Sequence, residues 1–150
     1  MSPRPHLLAG QPMEDAEIDR LLAESGVGVL SMCSDGVPYG IPLSFGYDRP
    51  DRIYFLFVGR SDELQKETYA EQAEVVSFLV YDIRSIATWR SVIATGTLEP
   101  IGADEWATAR ETMVDNAFRG DLFSGVDPSA DPNAWVLEID AKTGRISGPL

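Results

Sequence analysis

Bulky and small side chains alternate strictly between Tyr39 and Tyr47. Tyr39, Ile41, Leu43, Phe45 and Tyr47 take the odd positions, and Gly40, Pro42, Ser44 and Gly46 the even ones. A period of two belongs to a strand with unlike faces, the bulky one directed into a core. The opposite face is nearly bare of side chains, so a flat group can approach its backbone closely. Pro42 has no amide hydrogen and suits an edge, a bulge or a ligand-facing position better than a fully paired central strand. On this strand alone, a solvated edge and a binding wall are both open.

Around it the pattern predicts a helix over Glu14–Ser25, with Ile18, Leu21 and Leu22 on one stripe and Gly26 at its end as a C-cap. A strand follows over Val27–Cys33, and Ser34-Asp35-Gly36 is a hairpin signal that returns the chain into the Tyr39 strand. Asp48–Asp51 is a second turn, and Ile53–Val58, apolar throughout, reads as a strand covered on both faces. A helix from Asp62 to about Gln72 precedes a strand over Val75–Tyr81, and Ile83–Thr88 connects to a strand over Ser91–Leu98. Asp104–Phe118 reads as a helix, Gly120–Pro132 as a loop and Ala134–Ile139 as a closing strand. About six strands joined mostly by hairpin-length turns, with short helices, predict an antiparallel barrel with helices at its ends, in the all-β to α+β range. Regular strand–helix alternation and a Gly-rich first turn, the marks of a doubly wound sheet, are missing.

At 150 residues the chain is expected to form one domain, with residues 1–12 as a frayed lead. Its balance of 12 basic against 24 acidic residues gives a net charge of −12, and Lys66 and Lys142 are its lysines. A field of that sign opposes phosphate backbones and anionic lipid, so neither nucleic acid nor a membrane is an expected partner. An acidic, lysine-poor surface also resembles that of proteins adapted to high salt. No run approaches the ~18 apolar residues of a membrane span, and the Pro-rich N-terminus lacks a signal-peptide core, so a cytoplasmic location is expected.

One cysteine, Cys33, and one histidine, His6, cannot build a Cys/His zinc site, and a nucleophile–His pair would need the terminal His6. Phosphate-cradling glycine motifs of the G-x-x-x-x-G-K-[ST] and G-x-G-x-x-G kinds are absent. Asp127, Ser129, Asp131, Asn133 and Glu138 have the spacing of a calcium loop, but Pro132 stands where that loop requires glycine. A solvated acidic loop is the simpler reading.

Three segments remain: Gly36-Val-Pro-Tyr-Gly-Ile-Pro-Leu-Ser-Phe45, Ile53-Tyr-Phe-Leu-Phe-Val-Gly-Arg-Ser61 and Trp89-Arg-Ser-Val-Ile-Ala-Thr-Gly96. In order and spacing, over about residues 13–140, they resemble the FMN-binding split barrels related to pyridoxamine 5'-phosphate oxidase, within them the nitroimidazole-resistance-like branch. The resemblance implies a six-stranded antiparallel split β-barrel of Greek-key type with short flanking helices. It also implies a homodimer with FMN at the subunit interface and oxidoreductase chemistry on a small-molecule substrate. Under it, Ile41, Pro42, Leu43 and Ser44 form a wall for the flavin ring, beside Phe55, Leu56 and Phe57, although Phe55 and Phe57 read better as core than as ring contacts. Arg60 and Ser61, where a helix begins, would meet the phosphate through a guanidinium and helix N-terminal amides. Ser91 corresponds to the family's polar contact to the flavin, and Trp89 and Arg90 would cover the ring from the partner subunit.

The chain departs from the family at Ser61, where lysine commonly stands, at Asp62 and Glu63 in the first helical turn, and at Leu56, where that branch often has histidine. A flavin enzyme needs no nucleophile of its own, since the ring carries the redox chemistry. Two other readings stay open: a deazaflavin-dependent reductase, and a non-catalytic dimeric domain that has lost its cofactor. No second cluster of basic and aromatic residues near the C-terminus offers a site for pyridoxamine phosphate itself.

Overall fold

A computed structural model describes residues 9–56, 70, 73–116 and 134–148. Among them, seven strands and two helices follow in the order β1 (Gln11–Pro12), α1 (Asp15–Glu24), β2 (Val27–Ser34), β3 (Val37–Asp48), β4 (Arg52–Leu56), β5 (Val76–Ser85), β6 (Thr88–Pro100), α2 (Trp106–Asn116) and β7 (Ala134–Ser147). The sheet runs β1-β7-β4-β3-β2-β5-β6, and a further β6–β7 pairing closes six of the strands into a ring. The barrel is therefore the one the sequence predicts, with the two-residue β1 added on the flank of β7. Its step from β4 back to β5, which lies beside β2, is the Greek-key move. Closure pairs the strand edges that an open sheet would leave as templates for aggregation.

Local chemistry accounts for the elements. α1 opens on a capping box in which Glu14 and Glu17 satisfy each other's backbone amides. Its end differs from the expected glycine cap: Ser25 is extended and donates its amide to Leu21, and no left-handed residue is needed. The β2–β3 hairpin turns at Asp35 and Gly36, with φ of 52° and 75°, between the paired Ser34 and Val37. Positive φ at both central residues is why Asp-Gly suits this two-residue turn.

The bulky face of β3 enters the core as expected: Leu43, Phe45 and Tyr47 are buried. Phe78 of β5 packs edge-on against both Phe45 and Phe55, with ring centroids 4.9 Å apart in each case. Met13 and the Ile18–Leu21–Leu22 stripe of α1 plug one end of the barrel. Ile53, Tyr54 and Phe55 are all buried, the covered-on-both-faces strand that the apolar run predicts.

Three strands are longer than their hydrophobicity suggests, and one of them, β6, runs over Thr88–Pro100 rather than Ser91–Leu98, which with β5 takes up most of the expected Ile83–Thr88 connection. β5 continues through Ile83 to Ser85, and β7 runs to Ser147 rather than ending at Ile139. Residues 140–147 are mainly polar, and their strand is imposed by the ladder to β6, from Ala141 opposite Thr95 to Ser147 opposite Trp89. That ladder bulges between Thr95 and Gly96, where a Cβ on Gly96 would run into the carbonyl oxygen of Glu138. α2 starts at Trp106, two residues later than expected. His6, the loop over 120–132, most of the calcium-like spacing and, apart from Ala70, the helix from Asp62 lie outside the described residues.

Candidate functional site

The bare face of β3 is not uniform. At Gly46 it lies under α2, and a Cβ there would sit 2.6 Å from the amide nitrogen of Met113. α2 covers this side of the barrel through a second apolar cluster: Tyr54, Ala134 and Val136 from the strands, with Trp106, Ala109 and Met113 from the helix. At Gly40 the face is open, and the nearest atoms to a built Cβ are 3.8 Å away. Pro42 is exposed and Ser44 half-buried on the same open stretch. Among the described residues this stretch pairs with β2 alone, an edge-like setting that suits Pro42.

The open side continues across the sheet in register. One row of Cα partners reads Pro42, Val29, Leu79, Ile93 and Thr143, and the next reads Gly40, Ser31, Ser77, Thr95 and Ala141. Beside them lie Val27 opposite Ser44, and Tyr81, Ser91 and Arg145 in line. No carboxylate occurs in these rows, although the chain carries 24. Large apolar side chains are exposed there instead: Val27 at 45%, Ile93 at 46%, Tyr81 at 54% and Ile83 at 67%. The face thus mixes exposed apolar side chains with serine and threonine hydroxyls and one arginine, and on a strongly acidic protein it is distinguished by its lack of acids.

At its β5–β6 end the face sinks into a groove of about 390 Å³ lined by Leu79, Tyr81, Ile83, Trp89, Arg90 and Ser91. Two roomier hollows lie elsewhere, one with Glu14 and Glu17 in its wall and one with Asp35 and Glu74. Paired acids disfavour an anionic ligand in either.

The sequence-predicted residues separate accordingly. Trp89 and Ser91 line the groove. Arg90 lines it too, but its guanidinium is held by Glu24 at 3.1 Å and Asp82 at 3.5 Å. Its Nε is buried with no hydrogen-bond partner among the described residues. Leu43 and Phe55 are core residues, 8% and 0% exposed, and Ile41 packs partly against the same core. Phe55, paired with β3 on one side and β7 on the other, has nothing to offer a ligand, and the Leu43 side chain is turned inward. Leu56 ends β4 opposite Ala134. Phe57, Arg60 and Ser61 lie outside the described residues.

Two strands, β2 and β5, separate the β3 ribbon from Ser91, a span of roughly 14 Å at ordinary strand spacing. A single copy thus carries the ribbon and the groove as two places on one face, not as one slot. Sequence reasoning missed Leu79, Tyr81, Ile83 and Arg145. The first three continue the odd-numbered apolar alternation through the hairpin into Trp89, a signal that was present. Arg145 became visible only once β7 was extended.

Away from the groove, one polar network stands out. Lys142 Nζ donates to Asp19 Oδ1 at 2.8 Å, to the Tyr47 hydroxyl at 2.8 Å and to the Pro50 carbonyl at 2.6 Å, while the Tyr47 hydroxyl donates to Asp19 at 2.6 Å. Burial and the Asp19 hydrogen bond push the Tyr47 phenol up to about 12. Burial alone would raise the Asp19 carboxyl, but its bonds from Lys142 and Tyr47 outweigh that and hold it below 3.8. A phenol held neutral so firmly is a fastener between α1, β3 and β7, not a proton donor at neutral pH. The described residues contain no group of three or more His, Cys, Asp or Glu side chains that could hold a metal ion.

The family model for pyridoxamine 5'-phosphate oxidase matches residues 14–146, which takes in every described element after β1 except the last residue of β7. The chain belongs to the pyridoxamine 5'-phosphate oxidase family. Solved structures agree on the fold. A FAD-binding protein from Mesorhizobium loti superposes with a TM-score of 0.73 at 20% identity, over 92% of this chain and 98% of that one. A protein assigned to 5-nitroimidazole antibiotic resistance in Bacteroides thetaiotaomicron gives 0.70 at 19%, over 91% and 86%. A FAD and heme binding protein from Mycobacterium smegmatis gives 0.66 at 18%, over 91% and 72%. Among curated proteins none matches the sequence. The family's split-barrel fold is thus this chain's fold, and its neighbours include flavin binders.

Proposed function

We propose that this member of the family is an FMN-binding oxidoreductase of a small-molecule substrate, acting as a homodimer with the flavin at the subunit interface. The carboxylate-free face carries the reading. A phosphorylated flavin is anionic and its ring is flat and weakly polar, so on a protein of net charge −12 it needs a surface like this one. The groove offers an indole, a phenol and aliphatic walls for the ring. The Ser91 hydroxyl and the orphaned Arg90 Nε suit its carbonyl and nitrogen edge. When bound, the ring supplies the hydride and electron transfer. The protein's part is to hold it, exclude water with the apolar side chains of the face, and keep carboxylates away.

Homodimerisation follows the same logic. A second copy laid on this face would cover Val27, Ile93 and Tyr81 and could bring one copy's Gly40–Ser44 ribbon to the other's groove. Heme, which two of the structural neighbours bind, is a poorer fit, because the chain's one histidine is His6 and its one cysteine the exposed Cys33. The acidic, lysine-poor composition suits work in concentrated salt. No helix among the described residues is long and apolar enough to cross a membrane, which accords with a cytoplasmic setting.

An absorbance spectrum in concentrated KCl, with and without added FMN, tests the assignment. A flavin band that stays with the protein through gel filtration is the expected result, and Arg60→Ala should then weaken binding by roughly 1.5–3 kcal/mol through loss of a charge-assisted phosphate contact. Ile93→Asp, which sets a charge in the middle of the face, should yield monomers. A dimer that stays colourless would favour the non-catalytic reading, for which Ser61 in place of lysine is the best support. Binding of a deazaflavin in preference to FMN would favour the reductase.

A further inference from the structure

Trp89 makes a contact that the flavin reading does not use. Gly10, just before β1, has φ of +68° and no room for a side chain: a Cβ there would sit 2.8 Å from Cη2 of the Trp89 indole and 2.8 Å from the Ile146 carbonyl oxygen. The indole therefore lies against the bare backbone at Gly10. That backbone is itself held by Arg145, whose Nε donates to the Ala9 carbonyl at 2.7 Å and whose Nη2 reaches the Gly10 carbonyl at 3.5 Å. Arg145 sits between β1 and β6, with Pro12 opposite on one side and Ser91 on the other. It is also the basic residue in the carboxylate-free rows.

We propose that Arg145 and Gly10 are positioning residues for the ligand groove, clamping the N-terminal backbone against Trp89 so that its indole is fixed at the groove wall. The physical case is one of geometry. An aromatic wall helps a planar ligand when its orientation is set beforehand, because the cost of ordering it is then already met. Glycine alone lets the chain pass close enough to the ring, and the forked guanidinium can hold two successive carbonyls where an ammonium would hold one. The inference rests on the groove reading only for the identity of the ligand, since the clamp is a property of the protein alone.

Its test has two readouts on the full-length protein. In the ligand-free protein, Trp89's share of the near-ultraviolet circular dichroism is the difference between wild type and Trp89→Phe. Arg145→Gln and, as a second variant acting from the other side of the contact, Gly10→Ala should each remove that share while the far-ultraviolet spectrum stays native. Persistence of the Trp89 signal in both would overturn the clamp. With FMN, Arg145→Gln should weaken binding about tenfold in wild type and have no further effect in Trp89→Ala, the non-additivity expected of a residue acting through another. An equal loss in both backgrounds, or full rescue by Arg145→Lys, would overturn it by showing that charge and not placement matters. If wild-type protein binds no FMN, the proposed function fails and the dichroism still decides this inference.

Discussion

The two sides of this barrel are built from the same kind of strand and end differently. Around Gly46 the missing side chain makes room for α2, whose backbone at Thr112 and Met113 comes within 3 Å of where a Cβ would be. Around Gly40, on the same face of the same strand, the described chain comes no nearer than 3.8 Å to where a Cβ would be. One glycine admits part of its own fold, and the other leaves its stretch of the face uncovered by the described chain. The neighbours tell the same story: Tyr54, Ala134 and Val136 are buried under α2, whereas Val27, Tyr81 and Ile93 stand exposed. Whether a bare strand face is covered is thus decided by distant parts of the chain.

The largest test of this contrast is on the covered side. Met113 is fully buried against β3, so Met113→Ala should cost about 2–5 kcal/mol of unfolding free energy by urea titration. A cost under half of that would mean that α2 merely rests on the barrel.

At the plugged end of the barrel, stability should depend on pH through the Lys142 network. Asp19 has its pKa depressed on folding, so its contribution is present above 3.8 and is lost as the pH falls below that. Tyr47 is raised from 10.0 to about 12, so its contribution is present below 10 and is lost as the pH climbs toward 12. Lys142 is raised as well: burial opposes its charge, but the bonds to Asp19 and Tyr47 prevail, and its share too is lost on the alkaline side. Lys142→Met should remove roughly 1.5–3 kcal/mol at neutral pH and flatten both limbs of a stability–pH curve. A variant curve parallel to wild type would rule the network out as their source.

The sharpest comparison is also the smallest. Gly46→Ala must displace α2 and should cost about 1–3 kcal/mol, whereas Gly40→Ala, in open space, should change stability by less than about 0.5 kcal/mol. If the open face holds a ligand or a second copy, Gly40→Ala should show itself there, as weaker FMN binding or weaker association in sedimentation. Equal stability losses for the two would erase the distinction between the sides.

Much of the fold was legible because its signals are local. Alternation over 39–47, the Asp35-Gly36 turn, the apolar run at Ile53 and the stripe of α1 each need only a few neighbouring residues to be read. The second half of β7 was not legible, since Asp140–Ser147 has no strand-like alternation of its own and is held extended by β6. The candidate site divides in the same way. Trp89 and Ser91, named from a sequential motif, both line the groove. Leu43 was offered as a ring contact because a strand's residues arrive together in sequence, yet alternation sends its side chain inward, and Phe55 takes the core place that its apolar run favoured. Arg145 escaped because it meets Ser91 only across the β6–β7 ladder.

By itself, then, the sequence determined the family, the barrel class, the inward face of each principal strand and the net charge that makes an acid-free surface meaningful. Only the tertiary structure decided which half of the bare β3 face α2 would cover, that the ribbon and the groove stand two strands apart, and that Gly10, Trp89 and Arg145 meet. The reason is physical. Periodicity and turn chemistry act between residues close in the chain, whereas coverage and juxtaposition depend on strand register and ring closure, which are set by pairing between residues far apart in it.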